Sequence, residues 1–253
     1  MSSMYVFEVC ANSIESCIAA QAAGAHRIQL CAAFPEGGTT PSYGFIRLAA
    51  NLLSDVSLQV MIRPRSGDFC YTEYDMLQME MDIGICAELG IDGVALGCLN
   101  RHGHVDRAAM QRLLAKCQGM QVTFHRAFDV CCDPFEALED LIELGVHRVI
   151  TSGQQNNALQ GAELIGRLDQ AAAGRITVMA GAGINAGNIR EIAAKAGVRE
   201  YHFSGKGVEP SVMSYKKEGV LIAADACIDE YSRTISLPHN IENTINALTA
   251  AAP

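Results

Sequence analysis

An imidazole, a guanidinium and a carboxylate stand close together at the end of the apolar run Val122-Thr-Phe-His-Arg-Ala-Phe-Asp129. Read as a strand, the run alternates, so Thr123 and His125 share one face while Val122 and Phe124 share the other. A single histidine in that place can be a core residue satisfied by backbone. The ending recurs, however. Glu8 and Cys10 share a face of the first apolar run, Gln29 and Cys31 a face of the second, and Arg63 closes the third with Arg65 two positions on. Thr151 and Ser152 end the sixth run, and His202 and Ser204 end the eighth.

Side chains of these types, gathered at one place, support two chemistries. In the first, Arg63 and Arg65, with Arg126 as a weaker member, grip the carboxylate or phosphate of a small anionic metabolite through paired guanidinium hydrogen bonds. Glu8 would then be the general base and His125 or His202 the acid, with Asp129 orienting an arginine or an imidazole. In the second, Cys10 and Cys31 end adjacent strands, where a pair of thiolates could hold a soft metal ion. Each has a structural counterpart. Glu8, Arg63 and His125 could be a buried ion network filling a barrel mouth, and the two cysteines could be small core residues.

Residues so far apart in the chain meet only if the elements carrying them converge. Short β-rich runs alternate with longer amphipathic stretches eight times. The strand candidates are Tyr5–Cys10, Arg27–Cys31, Leu58–Arg63, Gly93–Gly97, Gln121–His125, Arg148–Ser152, Ile176–Ala180 and Glu200–Phe203. Cap chemistry opens the helical windows: Asn12 with Glu15, Thr72 with Asp75, and Asp133 followed by Pro134 and Glu136. Glycine closes them at Gly24, Gly90, Gly145 and Gly197. Eight such units without a linker or composition break predict one (β/α)8 TIM-type barrel over residues 1–253, with a tail from about 206 packing on it. An open doubly wound sheet is the alternative, but Glu8-Val-Cys-Ala-Asn12 lacks the glycine-rich turn such a sheet carries after its first strand.

In a barrel, all the polar strand ends meet at one rim. The loops Glu36-Gly-Gly-Thr-Thr-Pro41 and Arg65-Ser-Gly-Asp-Phe69 belong to it. Gly181-Ala-Gly183 leads toward a helix expected near Asn185, whose free N–H groups could hold an anion beside Ser152 and Ser204.

The totals narrow the partners. A net charge of -9 over 253 residues argues against nucleic acid and against an anionic membrane surface. No apolar run approaches the roughly 20 residues of a membrane span, and no basic-then-apolar leader opens the chain, so a cytoplasmic protein is expected. Its ten cysteines, with no C-x-x-C pair, are then expected as free thiols.

Taken together, Phe7-Glu-Val-Cys10, Ile28-Gln-Leu-Cys31, Glu36-Gly-Gly-Thr-Thr-Pro-Ser42, Met61-Ile-Arg-Pro-Arg65 with Gly67-Asp-Phe69, Val122–Asp129 and Thr151-Ser-Gly153 resemble the CutC family, the copper homeostasis proteins. The likeness runs from the first strand to the eighth. It implies a TIM-type barrel in the cytoplasm that handles Cu(I), with Cys10 and Cys31 matching the cysteines proposed as copper ligands in relatives, and it makes a homo-oligomer plausible. Ser66 stands where relatives often have Gly, and Gln29 where they often have Glu, which weakens any scheme needing paired acids there.

Overall fold

In the computed structural model, which describes residues 5–217, 219, 220, 222 and 229–249, eight parallel strands close into a barrel in chain order. They are β1 (Val6–Ala11), β2 (Arg27–Leu30), β3 (Ser57–Met61), β4 (Gly93–Leu96), β5 (Gln121–Phe124), β6 (Arg148–Thr151), β7 (Thr177–Gly181) and β8 (Glu200–Phe203). The ring closes where Val6, Phe7, Glu8 and Val9 of β1 pair with Glu200, Tyr201, His202 and Phe203 of β8.

Strand alternation divides the side chains between two environments. Phe7, Val9, Ile28, Leu30, Val60, Val94, Leu96, Val122, Phe124, Val149, Val178 and Tyr201 join the apolar layer packed against the helices. The opposite positions, among them Glu8, Arg27, Gln29, Gln59, Thr123 and Arg148, are buried polar groups of the barrel interior. Charges there cost several kcal/mol each unless paired, and they are paired. Arg27 donates to Glu8 at 2.8 Å and to Glu200 at 2.5 Å, and Arg148 donates to Glu200 at 2.9 Å and to Thr123 and Gln121 at 3.2 Å each.

The helices are α1 (Ile14–Ala22), α2 (Tyr43–Leu52), α3 (Glu73–Glu88), α4 (Arg107–Leu114), α5 (Pro134–Glu143), α6 (Ala162–Ala172), α7 (Ile189–Ala196) and α8 (Pro238–Thr249). Thr72 and Asp75 form the expected reciprocal cap of α3, and the Asp133 carboxylate accepts from Phe135 and Glu136 N–H at the head of α5. Two starts differ from the sequence reading. Ser13, not Asn12, caps α1, and the Asn12 amide donates instead to the Thr234 carbonyl at 3.0 Å. Helix α7 begins at Ile189 because Asn185 heads a turn: its side chain accepts from Gly187 N–H, and its own N–H donates to Asn188. The N–H groups of Asn185, Gly187 and Asn188 are thus engaged inside the turn.

Beyond the barrel, β9 (Lys206–Pro210) and β10 (Ser232–Ser236) form an antiparallel ribbon, tied to α1 by a Ser236 N–H bond to Ser16 and by Arg233 with Glu15. Tyr215, Lys216 and Lys217 are exposed, and Cys227 lies outside the described residues.

Candidate functional site

A cavity of about 70 Å³ sits at the carboxyl ends of the strands, lined by Cys10, Gln29, Gly37, Met61, Arg63, Phe69, His125, Arg126, Ile150 and His202. It shares Cys10, Gly37, Arg126 and His202 with a wider groove of about 630 Å³, walled by Gly183, Asn185, Ser204, Lys206 and residues of α8. Strand ends that looked separate in the sequence therefore converge.

Arg63, just beyond β3, is buried without a carboxylate partner among the described residues. Its guanidinium donates to the carbonyls of Glu36, Gly38 and Gly67 at 2.8, 2.9 and 2.9 Å and lies over the Phe69 ring. Its Nε is buried with no partner. His125 follows β5; its Nδ1 accepts the Ala127 N–H at 3.2 Å, which assigns the ring proton to Nε2. Burial first, then the neighbouring Arg63 charge, pushes its pKa down to about 3, so the ring is neutral. The fit is tight: a Cβ at Gly97 would lie 2.8 Å from Nδ1. His125 Nε2 is likewise buried and unpartnered, and so is the Gln29 amide nitrogen. Three unsatisfied donors, on Gln29, Arg63 and His125, thus belong to residues lining one small cavity.

The facing wall is built differently. His202 Nδ1 lies 2.7 Å from the Glu8 carboxylate, which is fully buried and also takes Arg27. Burial alone would lower the His202 pKa, but hydrogen bonds with Cys10 and Glu8 and the Glu8 charge raise it to about 9. Burial would raise Glu8, yet the same histidine and Arg27 hold it at about 2. Cys10 Sγ touches Cys31 Sγ at 3.0 Å, and that shared hydrogen bond, together with burial, pushes the Cys10 thiol up.

Asp129 ties Arg126 to the end of β6. One oxygen accepts from Thr151 and from the N–H groups of Ser152 and Gln154, and the other from Arg126 at 2.7 Å; Arg126 also reaches Ser152 at 3.3 Å. Gly181 packs against Ile150 and His202, while Gly183 and Ser204 line the outer groove. Arg65 is not brought to the cavity. It is held outside by Asp68, Asp75 and the carbonyls of Ser66, Asp68 and Cys70. The buried ion network exists, but its members are Glu8, Arg27, Glu200, Arg148 and His202, without Arg63 or His125. Arg27, Arg148 and Glu200 each stand two positions before an inward residue, so alternation alone would have found them.

Cys10 and Cys31 suit Cu(I) in softness but not in spacing: a straight S–metal–S unit needs roughly 4.6 Å between sulfurs, twice a metal–thiolate bond of ~2.3 Å, against the 3.0 Å present. Among the described residues, no group of three or more His, Cys, Asp or Glu side chains is arranged to hold a metal ion.

Residues 5–207 match the model of the CutC family. A family protein CutC from Bacteroides thetaiotaomicron is 50% identical over 244 residues, spanning 96% of this chain and 98% of its own. One from Chromobacterium violaceum is 47% identical over 228 residues, spanning 90% and 92%. The crystal structure of the putative copper homeostasis protein CutC from Streptococcus agalactiae matches with a TM-score of 0.76 at 35% identity, covering 79% of this chain and 98% of that one. N-(5'-phosphoribosyl)anthranilate isomerase from Pyrococcus furiosus, 13% identical with a TM-score of 0.57 over 98% of this chain and all of its own, shares the fold.

Proposed function

Since this chain belongs to the CutC family, whose name alone does not say what the barrel mouth binds, we propose that the mouth takes a small anionic metabolite and does acid–base chemistry on it. The observation that carries this reading is that Gln29, Arg63 and His125, which line one cavity, each keep a buried donor without a partner, one of them on a guanidinium without a carboxylate partner among the described residues. Each buried donor left unpaired costs about 1–3 kcal/mol, and carboxylate or phosphate oxygens are the groups that would recover it. Gln29, Arg63 and His125 bind those oxygens, and Arg126, steadied by Asp129 and Ser152, borders the entrance. His202, protonated near neutrality, is the acid. Glu8, held at about 2, is too weak a base there and serves as a positioning residue that keeps the His202 ring charged and aimed.

A thermal-shift screen of small carboxylates and phosphates tests this on the unaltered chain, Gln29→Met and Arg63→Ala. A ligand that raises the melting temperature of the first and not of the others supports the pocket. No stabilising ligand, or equal shifts in all three, refutes it.

The adjacency of two soft sulfurs supports a second reading, Cu(I) held by Cys10 and Cys31, which requires the side chains to rotate apart from their 3.0 Å contact. Titration of reduced protein with Cu(I) decides it: unchanged affinity in Cys10→Ser and Cys31→Ser removes the site. The free thiols of the described cysteines accord with a cytoplasmic setting. The exposed Leu52, Tyr74, Leu77 and Met81 on α2 and α3 support a homo-oligomer, which sedimentation would detect.

A further inference from the structure

The sulfur contact has reactivity of its own. At 3.0 Å, the Cys10 and Cys31 sulfurs are only about 1 Å farther apart than a covalent S–S bond of ~2.05 Å. Their backbones are pinned, since the Cys31 N–H bonds the Ala11 carbonyl at 3.0 Å, so closure falls to side-chain rotation. Access to the pair is unequal. Cys10 lines both the inner cavity and the outer groove, whereas Cys31 is 0% exposed and turns its thiol to the Ala11 carbonyl. A reagent arriving from solvent meets Cys10 first and Cys31 only behind it, and because the Cys31 contact and burial hold the Cys10 thiol up, exchange there is slow at neutral pH and quickens as pH rises. The reagent also arrives beside the donors of Arg63, Gln29 and His125.

We propose that Cys10 and Cys31 form a dithiol that exchanges with low-molecular-weight disulfides bearing carboxylates, Cys10 attacking and Cys31 resolving. The carboxylate preference rests on the anion-binding reading above; the exchange does not. In the first step Cys10 Sγ bonds to one sulfur of R–S–S–R, the S–S bond breaks, and the leaving thiolate R–S⁻ takes the Cys10 proton to become R–SH. In the second, Cys31 Sγ bonds to Cys10 Sγ and displaces the other R–S⁻, which takes the Cys31 proton. The protein dithiol is oxidised by two electrons, and the small disulfide is reduced to two thiols.

The test uses the full chain with Cys70→Ser and Cys132→Ser to remove the exposed thiols among the described residues, alongside the unaltered chain. Each is reduced, incubated with glutathione disulfide, and peptide-mapped. The expected result is a cross-link joining Cys10 to Cys31. Adding Cys31→Ser should stop the reaction at a mixed disulfide on Cys10, and adding Cys10→Ser should slow modification of Cys31 by about tenfold or more, because the resolving thiol is not accessible. Absence of the cross-link while the folded protein retains both thiols overturns the proposal, as does modification of Cys31 at an unaltered rate in Cys10→Ser. Cystamine, a cationic disulfide, separates the two readings. Slower reaction than with glutathione disulfide supports the carboxylate preference, and equal rates refute that preference while the cross-link itself still supports the exchange.

Discussion

Replacing Glu8 with Gln removes one charge from between His202 and Arg27 while keeping the shape of the side chain. The rise of His202 from 6.5 to about 9 corresponds to about 3 kcal/mol in favour of its charged form. Its folded pKa lies above the unfolded one, so the stability that proton brings is fully present below pH 6.5 and drains away as pH climbs through about 9. With Gln at position 8, burial is opposed only by the contact with Cys10, and the His202 midpoint should fall by about one pH unit or more. The variant should also lose about 3–5 kcal/mol at every pH, because Arg27 loses a partner in a dry interior; that offset does not alter the slope. Two signals separate the effects. Histidine Cε1–H resonances, with His202 identified by its loss in His202→Gln, report the midpoint. Urea denaturation at pH 6 and pH 9 reports the slope, which should flatten in Glu8→Gln. A midpoint still near 9 in Glu8→Gln, or one near 6.5 in the unaltered chain, would refute the assignment of Glu8 as the group that keeps His202 charged.

His125 should behave in the opposite sense. Its folded pKa of about 3 lies below the unfolded 6.5, so the stability linked to its neutral ring is present above pH 6.5 and is lost as pH falls toward 3. His125→Phe should therefore show a shallower decline between pH 6 and pH 4 by chemical denaturation. Gly97→Ala should cost about 1–3 kcal/mol of stability in urea, because the added methyl meets the His125 ring at 2.8 Å. Asp129→Asn should destabilise by about 2 kcal/mol, read by the same assay, since an amide cannot replace both the charged bond to Arg126 and the three donors gathered on the other oxygen.

The barrel was legible because its signals are local. Alternation and closing glycines mark each unit, and Glu200–Phe203 has the same bounds in the sequence reading and in the structure. Several other strands end a residue or two early: Cys31, Arg63, Gly97, His125 and Ser152 lie just past the last ladder position, where the chain turns into the loops of the mouth, and His125 already caps the short helical turn that follows. The missed helix starts at Ser13 and Asn188 fall where several capping residues compete: Asn12 is drawn off by the Thr234 carbonyl, and Asn185 is spent on a turn of its own. Arg63 and Arg65 are equivalent as letters. The chain turns between them, sending one side chain inward and leaving the other with Asp68 and Asp75. The layer of Arg27, Arg148 and Glu200 was passed over because charges at the start of a strand read as its solvent end, whereas barrel closure buries the two arginines and leaves Glu200 half-buried between them.

The guanidinium of Arg63, a residue that lines the cavity, fastens the 36–38 and 65–69 loops through their carbonyls and keeps its buried Nε without a partner. Affinity for a guest and the shape of the opening that admits it therefore cannot be tuned independently. A mutation that alters how tightly this cation holds a visitor also reshapes the threshold, so new specificities should evolve through Gln29 or the outer groove before they evolve through Arg63.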